Sequence, residues 1–511
     1  MRGDAGPLRL ASRPAKTKAS VVDSDTRRNL GAYYLNFLVV AAVGFIVNPL
    51  LLGALGPVMF GVWRSLQRYL DFATVADGRA AQALKWIVAS RTTLTDAERR
   101  RDVGAAVIVW VRWLPMAALA AAALAFATPL LIKGIPDDAR TVAYTTAAIL
   151  AANTVLAGLL AIPDSVLVGV NQGYKSMLVT TAAFVVSNGA IIIVAFSGGP
   201  LWSLAVIVLA TAVVNAACTL LVARRAVPWW GVSRPTRPDL RRVLGYSSWT
   251  IGWVLVDKLF LTCELIVLSV MVGAVAVTQY TFTTFVMQFV LSIALVTASG
   301  FMPKLGSQLG ATKMTEAAEL ARSVRHLVIG VAVLGSGAIL AFNGTFVALW
   351  VGSDQFLGTT LNALFIVAGL QLTLIRVDGQ ILDVTMRIAP KVLVGLFSSA
   401  GGIAAGCIAF AVSQDIATAL VAIIVMRLVS NVAYPVFVGR SIPGSAVPWP
   451  PVILSGVLLI VSYGIGVLTQ SGSFAANSAL AVGWIALAGI VSWCGLLPKA
   501  TVRAFIDRRS G

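Results

Sequence analysis

The sequence predicts an all-α polytopic membrane protein of about fourteen transmembrane helices: two six-helix halves, then two more helices. Three observations predict it. First, 58% of the 511 residues are hydrophobic and only 12% are charged, against roughly 45–50% and about 25% in a soluble domain. Apolar stretches of the roughly 20 residues that cross a bilayer as a helix fill most of the chain. Backbone groups in lipid must be satisfied within the segment, so these stretches are helices; the alternating segments of a membrane β-barrel are missing. Second, the positive charge is one-sided. Of the 39 Lys and Arg, leaving aside those inside apolar stretches, only Lys133 and Arg140 fall in the even-numbered connections. The positive-inside rule then places both termini in the cytoplasm and makes the number of helices even. The formal charge of +18 therefore needs no nucleic-acid partner. Third, the chain repeats itself weakly at offsets of 216 to 220 residues.

Taken in order, residues 1–29 are polar and basic, without the apolar core of a cleavable signal, and read as a flexible cytoplasmic tail. Six spans follow in 30–223, at about 30–52, 59–86, 105–132, 141–170, 176–197 and 201–223. The connection 224–245 carries six Arg with Pro228, Pro235 and Pro238, and reads as a cytoplasmic linker. Six more spans fill 246–438, at about 246–272, 278–303, 324–351, 357–386, 391–412 and 416–438. Two further helices (about 451–469 and 476–496) precede a basic cytoplasmic tail, 497–511. Connections on the outer side are short. Cys218, Cys263, Cys407 and Cys494 fall in separate spans, so neither a disulfide framework nor a zinc site is indicated. Tyr33–Tyr34 and Trp229–Trp230 suit interface anchoring.

The repeat aligns Gly56 with Gly273, Trp63 with Tyr280, and Lys175 with Lys391. Thr95-Asp96-Ala97-Glu98 before the third span echoes Thr315-Glu316-Ala317-Ala318 before the ninth; each reads as a hydroxyl cap followed by acids in the first helical turn. Parallel repeats of this kind flank a central site in many transporters. The stretch Leu55-Gly56-Pro57-Val58-Met59-Phe60-Gly61-Val62-Trp63 resembles the turn between the first two helices of bacterial polysaccharide flippases, in the multidrug/oligosaccharidyl-lipid/polysaccharide exporter superfamily. Gly273 to Tyr280 resembles the second-half counterpart, and Phe301-Met302-Pro303-Lys304-Leu305 the usual end of helix eight. The resemblance, spread over about 30–440, implies two six-helix bundles around a central cavity that opens alternately to each side. The last two helices fit a fourteen-helix branch.

Ionisable groups at bilayer depth cost about 2.5–3.5 kcal/mol on insertion scales, so they face a cavity or a partner. Span two is the most polar. Arg64, Arg68 and Asp71 follow i, i+4, i+7 and share one face, with Arg79 on nearly the same face. Such a stripe either lines a cavity for an anion, because Arg binds phosphate bidentately, or pairs within the bundle as Arg64–Gln67 and Arg68–Asp71. Span seven holds Asp257, Lys258 and Glu264, span ten Arg376, Asp378 and Asp383, and span twelve Arg427. Arg64, Arg68, Arg79, Lys258, Arg376 and Arg427 are the candidate substrate-binding residues; Asp71, Asp257, Glu264 and Asp378 are candidate ion-coupling carboxylates. The alternative for the later spans is interhelical ion pairs that fix packing. His326, the one histidine, reads as interfacial.

No ATP-binding loop GxxxxGK[ST], no HExxH and no GxSxG occurs, and the outer loops are too short to build an active site. The chain thus reads as a non-enzymatic secondary transporter of the bacterial inner membrane, a flippase for a lipid-linked saccharide with an anionic phosphate or pyrophosphate head. Coupling to H+ or Na+ and no cofactor are expected, with membrane lipid, the lipid-linked sugar and glycosyltransferases or a polysaccharide polymerase as partners. Two alternatives stand beside it: a cation-coupled multidrug exporter of the same superfamily, and a non-transporting scaffold for glycan-synthesis enzymes.

Overall fold

The computed structural model describes residues 24–90, 95–245, 248–385, 388–446, 449–469 and 474–498. The tail 1–23, the end of the second tail, and Arg91 lie outside the described residues. Every predicted span is helical over most of its described residues. Among the described residues, twelve helical stretches are long and apolar enough to cross a membrane. The first contains two predicted spans. Span seven is also helical, but its three charges, Asp257, Lys258 and Glu264, set it apart by composition.

The first half comprises α1 (Ser24–Asp71), α2 (Ala80–Ser90), α3 (Asp96–Leu131), α4 (Asp137–Leu160), α5 (Ile162–Gly169), α6 (Gly173–Phe196) and α7 (Leu201–Ala226). A linker helix, α8 (Arg237–Gly245), follows. The second half comprises α9 (Ser248–Val267), α10 (Ala274–Thr283), α11 (Phe285–Ser299), α12 (Met302–Gly310), α13 (Met314–Val351), α14 (Thr359–Val384), α15 (Ile388–Ser413) and α16 (Ile416–Ser441). Within each half the long helices pack on one another as a six-helix bundle. α17 (Trp449–Thr469) packs along α13, and α18 (Phe474–Val491) packs along α17.

The breaks between and within predicted spans have local causes. Gly56 (φ 71°, ψ 168°) divides α1, with Pro57 opening the second limb. Gly273 (φ 137°) separates a π-helical turn, Leu268–Val272, from α10. Both glycines occupy a backbone region that side-chain-bearing residues avoid, and they are the pair the sequence repeat aligns. Span two does not run on to residue 86. After Asp71 the chain tightens into a 3-10 turn, Phe72–Asp77, and kinks at Gly78 and Arg79, both of positive φ, before α2. Span four bends at Ala161, where Pro163 starts α5. Thr95 and Glu98 form a reciprocal capping box at α3. Thr315 does not repeat it: α13 begins one residue earlier, Lys313 takes the cap position, and its Nζ pairs with Glu316 at 2.9 Å.

The linker docks on the first half. Ser233 N–H donates to Arg100 O (3.1 Å), Arg100 Nε to Trp229 O (3.0 Å), and Arg242 pairs with buried Asp102 (2.8 Å). Trp229 is consequently buried, with Arg99 over its ring, rather than sitting at the membrane interface. Trp230 beside it is half-buried.

The two halves meet at the end marked by Gly56 and Gly273. Lys133 N–H donates to Ser269 O (3.1 Å), Ala274 N–H to Lys133 O (3.0 Å), and Thr278 Oγ1 to Pro57 O (2.6 Å). Phe60 stacks on Phe282 (5.3 Å), and Phe45 on Trp350 (5.1 Å). Toward the opposite, Arg-rich end the halves still touch where the turn Phe72–Asp77 packs on α9, and beyond it the helices pack within their own half. There α2 packs on α3, α5 and α8, and α12 on α13 and α14, each within its own half. At the closed end Gly61 leaves no room for a side chain: a Cβ there would lie 1.9 Å from Ala274 O. Gly61→Val is therefore expected to hold the halves apart. Spin labels at Lys133→Cys and Met271→Cys, in a background without the native cysteines, should report a longer distance than in the parent.

Candidate functional site

A cavity of about 790 Å³ lies between the halves, in the size range of small-molecule sites. Both limbs of α1 line it, with α4, α6 and α7 behind them, and α9, α10 and α11 supply the wall from the second half. Its two faces differ. One is apolar, with Phe37 on α1 facing Phe285 and Phe289 on α11; the Phe37 and Phe289 rings meet edge to face at 6.1 Å. The other carries Arg64, Arg68 and Asp71 among amides and hydroxyls.

The i, i+4, i+7 spacing brings these three residues to the cavity because the second limb of α1 stays helical as far as Asp71. Arg64 donates to Asn48 Oδ1 across the kink and weakly to Gln67 Oε1 (3.4 Å), and its guanidinium lies 5.1 Å from the Phe60 ring centroid. These partners are neutral. Arg68 is exposed to the cavity. Among the described residues neither arginine forms an ion pair. The Arg64–Gln67 contact foreseen as the alternative to cavity lining is present, but both residues still line the void; Arg68–Asp71 does not form.

Asp71 instead pairs with Lys258 of α9, across the seam between the halves. Each of the two stands 15 residues from its own helix break at Gly56 or Gly273, which sets both about 22 Å from the closed end at 1.5 Å per residue. Lys258 thus touches the rim of the site through Asp71.

The remaining candidate cations are not in the cavity. Arg79 leaves the stripe because the chain turns at Gly78; its backbone N–H donates to Asp77 Oδ1 at 2.8 Å. Arg376 pairs with Asp257 at 2.8 Å. Arg427, 1% exposed, pairs with Glu264 at 2.6 Å and donates to Phe260 O at 2.8 Å. Asp378 accepts two bonds from Arg325, at 2.8 and 3.1 Å. Lys391 is fully buried, pairs with Asp383 and lies 3.6 Å from the Trp253 ring centroid. Adjacent Asp257 and Lys258 diverge, as residues about 100° apart on a helix must. The interhelical-pair alternative therefore describes the second half: four carboxylates there each meet a cation from another helix or turn. His326 bonds Gly495 O at 2.9 Å, tying α13 to the segment after α18. Among the described residues no group of three His, Cys, Asp or Glu is placed to hold a metal ion.

Sequence reading missed the cavity's amide wall: Asn153 on α4, Asn188 on α6 and Asn215 on α7. Its signal was available. Each is an uncharged but strongly hydrogen-bonding group in the middle of an apolar span, where a polar group needs a partner.

No protein-family profile and no curated protein matches this chain. Solved structures do. The fold is similar to a point mutant of the Vibrio cholerae MATE transporter VcmN (17% identity, TM-score 0.55, covering 83% of this chain and 98% of that one). It is similar to an inward-facing multidrug resistance MATE family transporter of the MOP superfamily (14%, 0.52, 82% and 99%). It is also similar to a MOP superfamily transporter from Pyrococcus furiosus whose binding pocket is described as reversed in polarity, suggesting a different function (15%, 0.50, 82% and 94%). At these identities the likeness establishes the fold alone, the one these MATE and MOP transporters share. The fold that the resemblance at residues 55–63 and 273–280 implied is the fold observed; the flippase branch is not singled out.

The Arg427–Glu264 pair yields a stability test. Removing one member of a buried pair typically costs about 3–5 kcal/mol, whereas apolar replacement of both is often neutral. Arg427→Leu should therefore lower the unfolding temperature in detergent sharply, and adding Glu264→Leu should restore most of it.

Proposed function

We propose that this protein is a membrane transporter working by alternating access, and that its cavity takes an amphiphile with an anionic head. The observation that carries this reading is the pair Arg64 and Arg68: two guanidiniums on the cavity wall without a carboxylate of their own. The one acid on that wall, Asp71, is held by Lys258. The site therefore presents uncompensated positive charge inside low-dielectric walls, where its attraction for an anion exceeds that in water. The apolar wall of Phe37, Phe285 and Phe289 suits a hydrocarbon tail. A lipid-linked saccharide with a phosphate or pyrophosphate head meets both requirements, and export toward cell-surface polysaccharide synthesis in the bacterial inner membrane would be its use.

A second reading has its own support. The solved neighbours are MATE transporters, and this likeness favours a cation-coupled multidrug exporter over a lipid-linked saccharide flippase. Against a cationic drug stands the cavity's sign. The Pyrococcus furiosus neighbour, described as having reversed pocket polarity, supports the idea that one fold serves cargoes of either charge.

With the Arg-rich end in the cytoplasm, as the charge distribution argues, this conformation is open inward and closed outward. Coupling to H+ or Na+ would act through a carboxylate already held by a cation. An incoming ion would displace Lys258 from Asp71, Arg376 from Asp257, Arg427 from Glu264 or Arg325 from Asp378.

Binding of dodecyl phosphate and of dodecyltrimethylammonium to the purified protein separates the readings. Arg64→Ala with Arg68→Ala should weaken dodecyl phosphate at least about tenfold, since hydrogen bonds to charged groups contribute about 1.5–3 kcal/mol each, and should leave or improve ammonium binding. Loss of ammonium binding alone would favour the multidrug reading.

A further inference from the structure

We propose that Asn153, Asn188 and Asn215 form a subsite for the hydroxyl groups of a saccharide head, beside the arginines that take its phosphate. The inference rests on the anionic-amphiphile reading and names the remainder of the head group.

The three amides come from three helices and face one cavity. Counting along each helix from the closed end at 1.5 Å per residue, Asn188 lies about 12 Å down, Asn215 about 21 Å and Asn153 about 24 Å. Arg64 and Arg68 lie about 12 and 18 Å below Gly56 on the same scale. Amides and guanidiniums therefore share the same range of depth in the cavity, about 12 to 24 Å from the closed end.

Their hydrogen-bonding capacity is largely unspent. Asn188 gives its Nδ2 to Phe184 O of its own helix at 2.8 Å, which fixes the rotamer and leaves Oδ1 uncommitted. Asn215 Oδ1 accepts a long bond from Thr180 Oγ1 (3.4 Å), leaving its Nδ2 as a donor. Asn153 Oδ1 is buried and has no partner. A buried amide oxygen without a donor is destabilising; a hydroxyl entering the cavity beside Asn153 would relieve it once the amide turns toward the void.

The required chemistry is specific. A phosphate oxygen only accepts, so it cannot satisfy the oxygens of Asn153 and Asn188. A hydrocarbon tail offers neither donor nor acceptor. A quaternary ammonium has no N–H to give. A sugar hydroxyl donates and accepts at once and matches an amide wall of mixed polarity. Neutral amides also leave the arginine charge intact for the phosphate, which carboxylates at the same positions would cancel.

The test uses two monoanions with the same tail, dodecyl methyl phosphate and dodecyl glucosyl phosphate, titrated into the purified full-length protein. The parent should bind the glucosyl ester about tenfold more tightly. Asn153→Leu and Asn215→Leu should each remove about three- to tenfold of that preference, the size expected for one neutral hydrogen bond, and leave the methyl ester unchanged. Asn153→Ser and Asn188→Ala make the same comparison should a leucine variant fail to purify as a monodisperse protein. Equal affinity of the parent for the two esters, or an equal loss for both esters in the variants, would overturn the subsite. Arg64→Ala with Arg68→Ala reports separately: undiminished binding of both esters there sinks the anion reading itself, whereas loss of both with inert asparagine variants sinks only the subsite.

Discussion

A charge moved from water into a membrane span must find a counter-charge or a wet surface, and the organisation of this protein follows from how each span meets that demand. In the second half the demand is met internally. Asp257, Glu264, Asp378 and Asp383 each hold a cation, so that bundle is close to neutral across its interior. In the first half Arg64 and Arg68 are left over, and both are at the void. The contrast turns a pair of similar bundles into an asymmetric molecule: one half is cross-braced, and the other offers charge to a guest.

Buried pairs of this kind add little net stability, because desolvation offsets most of their attraction. Their effect here is on geometry. Arg427 reaches Glu264, Phe260 O and Ala368 O at once, fixing α16 against α9 and α14. A half held this way moves as a body. The seam between the halves is different. It rests on main-chain bonds and aromatic stacks near Gly56 and Gly273, with a single described ion pair, Asp71–Lys258, further down. Rigid halves with a sparsely bonded seam are what rocking motion requires.

Much of this was legible in the sequence. The helical spans followed from their length and apolar composition, and the two helix breaks from glycines in register. That Arg64, Arg68 and Asp71 share one face followed from their spacing alone. Other features depended on partners remote in sequence, which spacing along one helix does not encode. Arg376 and Arg427 look as available as Arg64 until α9 brings Asp257 and Glu264 to them. Arg79 fits the stripe on paper, but the helix ends eight residues before it. Trp229 has the sequence context of an interface anchor, yet the linker folds back and buries it against Arg99. The asparagines escaped notice because an uncharged residue does not stand out in a search for charges, although burial weighs on an amide for the same reason.

The closed end is built from Phe60 on Phe282, Phe45 on Trp350 and a backbone approach at Gly61, with Lys133 as its charged residue. Among the described residues, the Lys133, Trp350 and Thr278 side chains there donate to main-chain carbonyls, and Tyr69 and Ser269 form a hydroxyl pair. Protons hop along wires of water and polar side chains, and stacked rings interrupt such wires. A chamber large enough to hold many water molecules, sealed at that end, would then not short-circuit the voltage across an energised membrane.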